Sequence, residues 1–355
     1  MDGLPCQTLE PDGDREIKTS MATTEDVAQA AGVSTATVSR VLSGYRHVTS
    51  KTRERVMEAV SRLGYEPNAN AKSLRTTRTR KIIVTVPNIA NIFFSNIILG
   101  VEAAAAAAGY TVLLGDVSLS GESEANYASM LRRKEADGLI FLGHSLPQVA
   151  CDLIALEGLN APIVNGCEFN ETLGVSSVHI DNGSAARQVM DYLYGLGHKH
   201  IGVVTGAMES PISRDRLVGC QSSARANGAL DDLIVMRGDF TVEAGEAQTY
   251  LLLDLDPLPT AIFCFSDDMA IGALHAIRQR GLSCPKDVSI VGFDDIRTAR
   301  YAFPPLTTVR QPMAEIGRQA VGLLIEILEG RAASLRSITL AHELIPREST
   351  GAPRS

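Results

Sequence analysis

The sequence predicts an all-α helix-turn-helix headpiece followed by an α/β core of two lobes with parallel sheets. Three observations predict it. A basic stretch near the N-terminus holds three short helical patterns separated by turn residues. After Lys81, apolar strands alternate with helices, the rhythm of a parallel sheet. That rhythm restarts at Ile201, so two α/β lobes are implied. With 355 residues, of which 45% are hydrophobic, the chain is long and apolar enough for more than one core.

Residues 1–20, with Gly3, Pro5, Pro11 and Gly13 among several acids, show no helical or strand period and read as a disordered tail. Residues 21–66 form the headpiece. Its helical patterns run over Thr24–Ala31, Ser34–Leu42 and Thr49–Leu63, each opened by a Ser or Thr suited to cap exposed backbone N–H groups. Residues 67–80 are poor in large apolar groups and read as a hinge or linker. The core spans 81–347. Its strands are Ile82–Val86, Thr111–Leu114, Gly138–Leu142, Ile201–Val204, Ala261–Phe265 and Val288–Phe293, with helices at Ser95–Ala108, Glu122–Arg133, Arg216–Asn227 and Asp267–Arg280. The alanine run Ala103–Ala108 reads as a strong helix former packed closely on the sheet. The N-terminal lobe is expected to take about 81–180 and 309–335, the C-terminal lobe about 181–308 and 336–347, and residues 348–355 a second tail.

The formal charge of −8 argues against a polyanionic partner, yet the average hides an asymmetry. Between Ser20 and Lys81 there are eleven Lys or Arg against five acids, so a basic end sits on an acidic body. No apolar run is long enough to span a bilayer, and the first twenty residues lack the apolar centre of a secretory signal; a cytoplasmic protein without a membrane role is expected. Cys6, Cys151, Cys167, Cys220, Cys264 and Cys284 are scattered without CxxC or Cys/His spacing, so no disulfide framework, metal site or cofactor is indicated. Nucleophile elbows, phosphate loops and paired metal ligands are missing, which argues against an enzyme. His198-Lys-His200 is no exception, because neighbours on a strand face opposite ways; it reads as a cap on the turn into Ile201–Val204.

Within the headpiece, Val27, Ala28, Val33, Val38 and Leu42 supply apolar contacts between two short helices, and Gly32 permits the turn between them. The second helix is lined with small residues. Ser34, Thr35, Ala36, Thr37, Ser39 and Arg40 would let it approach a major groove, with hydroxyls for phosphates and Arg40 in reach of guanine.

Glu25-Asp-Val-Ala, Ala31-Gly-Val-Ser and Thr37-Val-Ser-Arg-Val-Leu resemble the headpiece of the lactose/galactose repressor family, and the resemblance runs from about Met21 to Arg347. It implies a transcriptional regulator that binds an approximately palindromic double-stranded DNA operator as a homodimer. Thr35, Ala36 and Arg40 then occupy the positions that choose the operator sequence, with Thr24 a further contact. Gly64–Arg75 is similar to the family's hinge, with Lys72 where Arg is more usual, Leu74 as a wedge in the minor groove and Arg75 beside it.

The body resembles the family's periplasmic-binding-protein-like core, through Val178-His-Ile-Asp-Asn182, Gly197–Gly202, Ser266–Ala270, Gly292-Phe-Asp-Asp295 and Pro305–Pro312. The resemblance implies a small-molecule effector between the lobes. Phe93 and Phe94 would lie on one side of a ring and Phe240 on the other, Arg216 and Asp294 would hold hydroxyls, and Asp267 would serve either as a further contact or as a helix cap. A nucleoside is the favoured effector, from the likeness of Tyr192-Leu-Tyr194 and Arg237–Thr241 to nucleoside-sensing members; Ser210 and Ile212 lack polar groups to grip a purine base, and a pentose or other sugar stays open. The other readings are a cytoplasmic sugar- or nucleoside-binding protein, or an enzyme, without DNA regulation.

Overall fold

The computed structural model describes residues 22–66, 78–118 and 121–354, in two units that meet between Thr77 and Arg78. The expected N-terminal tail and most of the hinge, including Lys72, Leu74 and Arg75, lie outside the described residues.

The headpiece consists of α1 (Thr24–Ala31), α2 (Thr35–Leu42) and α3 (Ser50–Leu63). Their apolar stripes meet in a small core of Val27, Ala28, Ala31, Val38, Val41, Val56 and Ala59. Caps fix the ends. Thr23, one residue before the expected start, caps α1 in a reciprocal box with Asp26, while Ser34 and Thr49 cap the other two helices as expected. Gly32 adopts φ +63°, a left-handed turn that admits few side chains, and a Cβ there would lie 2.7 Å from Arg55 Nη2.

The N-terminal lobe begins with β1 (Lys81–Val86), α4 (Ile92–Ala107), β2 (Thr111–Asp116), α5 (Gly121–Arg132), β3 (Gly138–Phe141), α6 (Gln148–Glu157), β4 (Ile163–Gly166) and β5 (Ser176–Ile180). The chain crosses to α7 (Asn182–Gly195), β6 (Ile201–Thr205), α8 (Pro211–Ala226), β7 (Leu233–Arg237), α9 (Val242–Leu253), β8 (Ala261–Cys264), α10 (Asp267–Gln279) and β9 (Ser289–Val291). It ends with β10 (Thr308–Arg310), α11 (Met313–Leu328), β11 (Ser337–Leu340) and β12 (Glu343–Ile345). The first lobe holds a six-stranded sheet in the order β11-β5-β4-β3-β1-β2, the second a four-stranded sheet in the order β7-β6-β8-β9. Every pairing in both sheets is parallel. Such sheets need helices on both faces, so their strands are apolar runs rather than alternating ones; Ile82, Ile83, Val84 and Val86 are all buried. Helix α11 returns to the first lobe and crosses α4 backbone to backbone: a Cβ on Gly100 would sit 2.1 Å from the Ala314 carbonyl oxygen, and one on Gly317 2.2 Å from that of Ile97.

Four features differ from the sequence reading. Residues 78–80 belong to the core, because Asp137 accepts from the Thr79 amide (2.7 Å), the Thr79 hydroxyl (2.8 Å) and the Arg80 amide (3.0 Å). Residues 337–340, placed with the C-terminal lobe, form β11 and pair with β5 in the N-terminal lobe. Only one face of the alanine run packs closely: Ala105 is buried while Ala103, Ala106 and Ala107 are exposed. The largest difference is at the C-terminus. Residues 349–351 are a strap rather than a tail: Ser349 is wholly buried and bonds Ile290 O through its hydroxyl at 2.6 Å. Its hydroxyl also accepts from the Thr307 amide at 2.7 Å. His198 locks the strap, with Nε2 2.9 Å from Gly351 O and Nδ1 2.9 Å from Thr260 Oγ1. Burial therefore recruited the first His of the HKH run, and His200 stays half-exposed.

Candidate nucleic-acid interface and ligand cavity

In the headpiece, α2 follows α1 after a three-residue turn and shows Thr35, Ala36 and Arg40 to solvent. Ser34 and Thr37 are committed to the cap: the Ser34 hydroxyl accepts from the Thr37 amide at 3.2 Å and lies 3.0 Å from the Thr37 hydroxyl. Thr24 is also engaged, 2.7 Å from the Tyr65 hydroxyl. Ser39 is half-buried on the helix flank. Within α2 the exposed side chains are Thr35, Ala36 and Arg40, two small groups and one forked cation.

Two arginines that the charge count took as part of the basic surface are structural. Arg53 donates to the carbonyls of Val41 (3.4 Å) and Tyr45 (2.9 Å), and Arg55 to those of Ala31 and Gly32, so α3 caps the C-terminal ends of both preceding helices. Sequence reasoning missed the exposed Tyr45-Arg46-His47, where Tyr45 and His47 meet edge to face at 5.4 Å. The signal was present: Gly44, at φ +74°, ends α2 and puts an aromatic and a cation directly after it.

The core holds a cavity of about 300 Å³ lined from both lobes, by Asn91, Phe93, Phe94, His144, Cys167 and Glu168 on one side and by Ser210, Arg216, Phe240 and Asp294, among others, on the other. Asn91 caps α4 through a 2.9 Å bond to the Phe93 amide, which sets Phe93 and Phe94 in the first turn with their rings edge to face, 5.2 Å apart. This helix starts three residues before the expected Ser95. Phe240, on the C-terminal lobe, has φ +72° and lays its ring where a side chain on Gly206 would be, with Cζ 1.9 Å from the ideal Cβ position.

Arg216 is 2% exposed on α8. Its Nε donates to Asn182 Oδ1 at 2.9 Å, an Nη donates to the Phe265 carbonyl, and the guanidinium stacks 3.6 Å from the centre of the Phe293 ring. Asp294, 7% exposed, accepts from Gln311 Nε2 at 2.7 Å. Burial pushes its pKa up to about 7, against the opposing pull of Arg216 and of the Gln311 bond. Backbone strain marks the same place, with φ +117° at Asp294 and +56° at Asp295. Asp295 is held by Arg310 and Arg347.

Asp267 does not line the cavity, contrary to one of its two expected roles. It is wholly buried behind it; one carboxylate oxygen accepts from Thr308 Oγ1 at 2.6 Å and the other from the Ile296 amide at 2.9 Å. Nor is it the cap of α10, which is Ser266. It braces the strained 292–296 loop. Burial, and then the neighbouring Asp294, push its pKa well up.

A further polar cluster went unread in the sequence. Glu168, 7% exposed, accepts at Oε2 from Ser210 Oγ (2.7 Å) and lies 3.2 Å from His144 Nδ1. Glu168 follows β4 and Ser210 precedes α8, so the bond joins the lobes. Their separation in sequence left no local signal. Among the described residues no group of three or more His, Cys, Asp or Glu is placed to hold a metal ion, and no helix is long and apolar enough to cross a membrane.

Comparison with known proteins accounts for both units. Residues 23–68 match the model of bacterial regulatory proteins of the lacI family, and residues 190–350 that of a periplasmic binding protein-like domain. The chain is 43% identical to the HTH-type transcriptional repressor CytR of Escherichia coli K12, over 93% of this chain and 97% of that one. It is 35% identical to catabolite control protein A of Priestia megaterium, over 92% and 98%. Among solved structures, the lac repressor dimer bound to operator and an anti-inducer matches with a TM-score of 0.84 at 30% identity, over 93% of this chain and 99% of that one. With a second headpiece helix that exposes Arg40, a core cavity lined from two lobes, and relatives matched over nearly their full length at this identity, the chain belongs to the lacI family of bacterial regulatory proteins.

Proposed function

We propose that this regulator is a cytoplasmic transcriptional repressor that binds an approximately palindromic operator as a homodimer, and that a nucleoside in the core cavity sets its operator affinity. Each headpiece reads a half-site, so useful affinity needs two on one body. Arg40, with Thr35 and Ala36, makes the base contacts; the exposed N-terminus of α3 and Arg46 meet phosphates. Lys72, Leu74 and Arg75 complete the minor-groove contact, with Leu74 as the wedge.

The observation that carries the nucleoside reading is the pairing of aromatic walls with buried polar groups in one cavity. Phe93, Phe94 and Phe240 line the cavity together with Arg216 and Asp294; aromatic rings suit a planar base, and the buried polar pair suits the hydroxyls of a ribose. The volume is at the small end of ligand sites, about 300–1,000 Å³. Similarity to CytR points the same way. A free pentose would use Arg216 and Asp294 but leave the aromatic walls unfilled.

The test is thermal stability of the purified protein against nucleosides, nucleobases and pentoses. A ligand that binds only the folded state at a hundred times its Kd adds about 2.7 kcal/mol. Selective stabilisation by cytidine or a related nucleoside is expected. Stabilisation by sugars alone would replace the nucleoside with a sugar.

A further inference from the structure

The cluster of Glu168, His144 and Ser210 has no role in reading DNA, and it sits where the two lobes touch. Glu168 comes from the N-terminal lobe and receives Ser210 Oγ from the C-terminal lobe at 2.7 Å. The same oxygen faces His144 Nδ1 at 3.2 Å. In this arrangement of the lobes the carboxylate is only 7% exposed, and sealing a charge away from water is costly unless an opposite charge is buried with it. His144 supplies that charge only when protonated.

The geometry points to a proton-operated clasp: Glu168, gripped by Ser210 across the cleft, is neutralised by His144, and the closed arrangement of the lobes is favoured when the imidazole carries its proton. The clasp rests on the reading of the cavity as the effector site only for its consequence, tighter effector binding on the acid side of neutrality. Its mechanics stand without it.

The groups facing His144 support the sign. Glu168, on the loop after β4, holds the imidazole's pKa above its ordinary value of 6.5 through the shared hydrogen bond. Glu124, half-buried on α5, acts in the same direction. Arg214, on α8, opposes them, but its exposed guanidinium is turned onto the carbonyls of Met208 (3.1 Å) and Glu209 (2.9 Å). Asn170 meets only the backbone carbonyl of His144, at 3.1 Å. Cys167, Arg216, Asp239 and Asp294 line the same cavity; burial pushes the pKa of Asp294 up to about 7, inside the pH range scanned, so a variant of His144 is needed to separate the two. A partner's pull that raises a histidine's pKa gives stabilisation that is complete below the ordinary value and is lost as pH rises through the raised one.

The experiment places a dye pair across the cleft of the full-length protein, at Leu156→Cys on α6 and Leu251→Cys on α9, both exposed positions. Cys6, Cys151 and Cys284 are replaced by Ser so that the dyes report only the new sites. Energy transfer is read without ligand from pH 5.5 to 8.5. The expected result is high transfer at acid pH that falls as pH rises above 6.5, and a response that is flattened in His144→Asn and in Glu168→Gln. Transfer that does not respond to pH in the parent, or responds equally in His144→Asn, overturns the clasp. Cytidine affinity measured at pH 6 and pH 8 is the second arm, where one linked proton changes affinity by at most about tenfold per pH unit. If cytidine does not bind while transfer still follows His144, the nucleoside reading falls and the clasp stands.

Discussion

Gly206→Ala is the sharpest probe of the cavity. The added methyl carbon would lie 1.9 Å from Phe240 Cζ, 2.2 Å from Cε2 and 2.3 Å from Cε1. Carbon atoms pack at about 3.5 Å or more, so the ring must retreat by roughly 1.6 Å. Phe240 is only half-buried and already sits at φ +72°, so the ring has room to swing while the strand before it stays in place. Stacking of one base on one aromatic side chain contributes about 1–3 kcal/mol, which corresponds to a loss of about 5- to 150-fold in effector affinity. Titration calorimetry with cytidine measures that loss, and fluorescence anisotropy with labelled operator checks that effector-free DNA binding is intact. An effector affinity within twofold of the parent would show that Phe240 does not wall the site. Loss of both activities would show instead that Gly206 is needed by the lobe as a whole.

Three further outcomes follow from the structure. Arg40→Ala should cost about 1–3 kcal/mol of operator affinity and relax the preference at a single base pair in each half-site, which a set of single-position operator variants would reveal. Arg55→Met should destabilise the headpiece by about 1 kcal/mol through loss of the caps on Ala31 and Gly32, yet leave the salt slope of DNA binding unchanged, because the lost cation touches carbonyls and not phosphates; a shallower slope would refute this. Burial holds the imidazole of His198 below its ordinary pKa, so its contribution to stability is complete above about 6.5 and is lost as pH falls below that value. Melting curves from pH 7 to pH 5 should decline in the parent and decline less in His198→Gln, the reverse of the sign at His144.

The parts of the fold that were legible share a local cause. Headpiece helices announce themselves by caps and a helical period, so Ser34 and Thr49 marked two starts and only Thr23 was displaced by one residue. Strands β1 and β8 are largely apolar runs, with Lys81 and Thr85 the only polar residues among them, and the expected spans match within a residue. What was missed depends on distant partners. Ser349 is a small polar residue with no period around it, and only the waiting groups of Ile290 and Thr307 make it a buried one. Asp267 looks like any acid at a helix start until Thr308 and Ile296 are placed against it. Glu168 and Ser210 are brought together by a crossover between lobes, which leaves no trace in the residues beside either of them.

The strap at residues 349–351 bears on how the chain is made. The headpiece, near the start of the sequence, has its own core and its own caps, and it is complete once Tyr65 has been added. The sensing body reaches that state much later in synthesis: one edge strand of its first sheet is residues 337–340, and Ser349 and Gly351 secure its second sheet later still. A growing chain therefore carries a finished reading head for most of the time that its sensor is unfinished. Mutations near the C-terminus should accordingly leave a reading head joined to a body that cannot close on its effector.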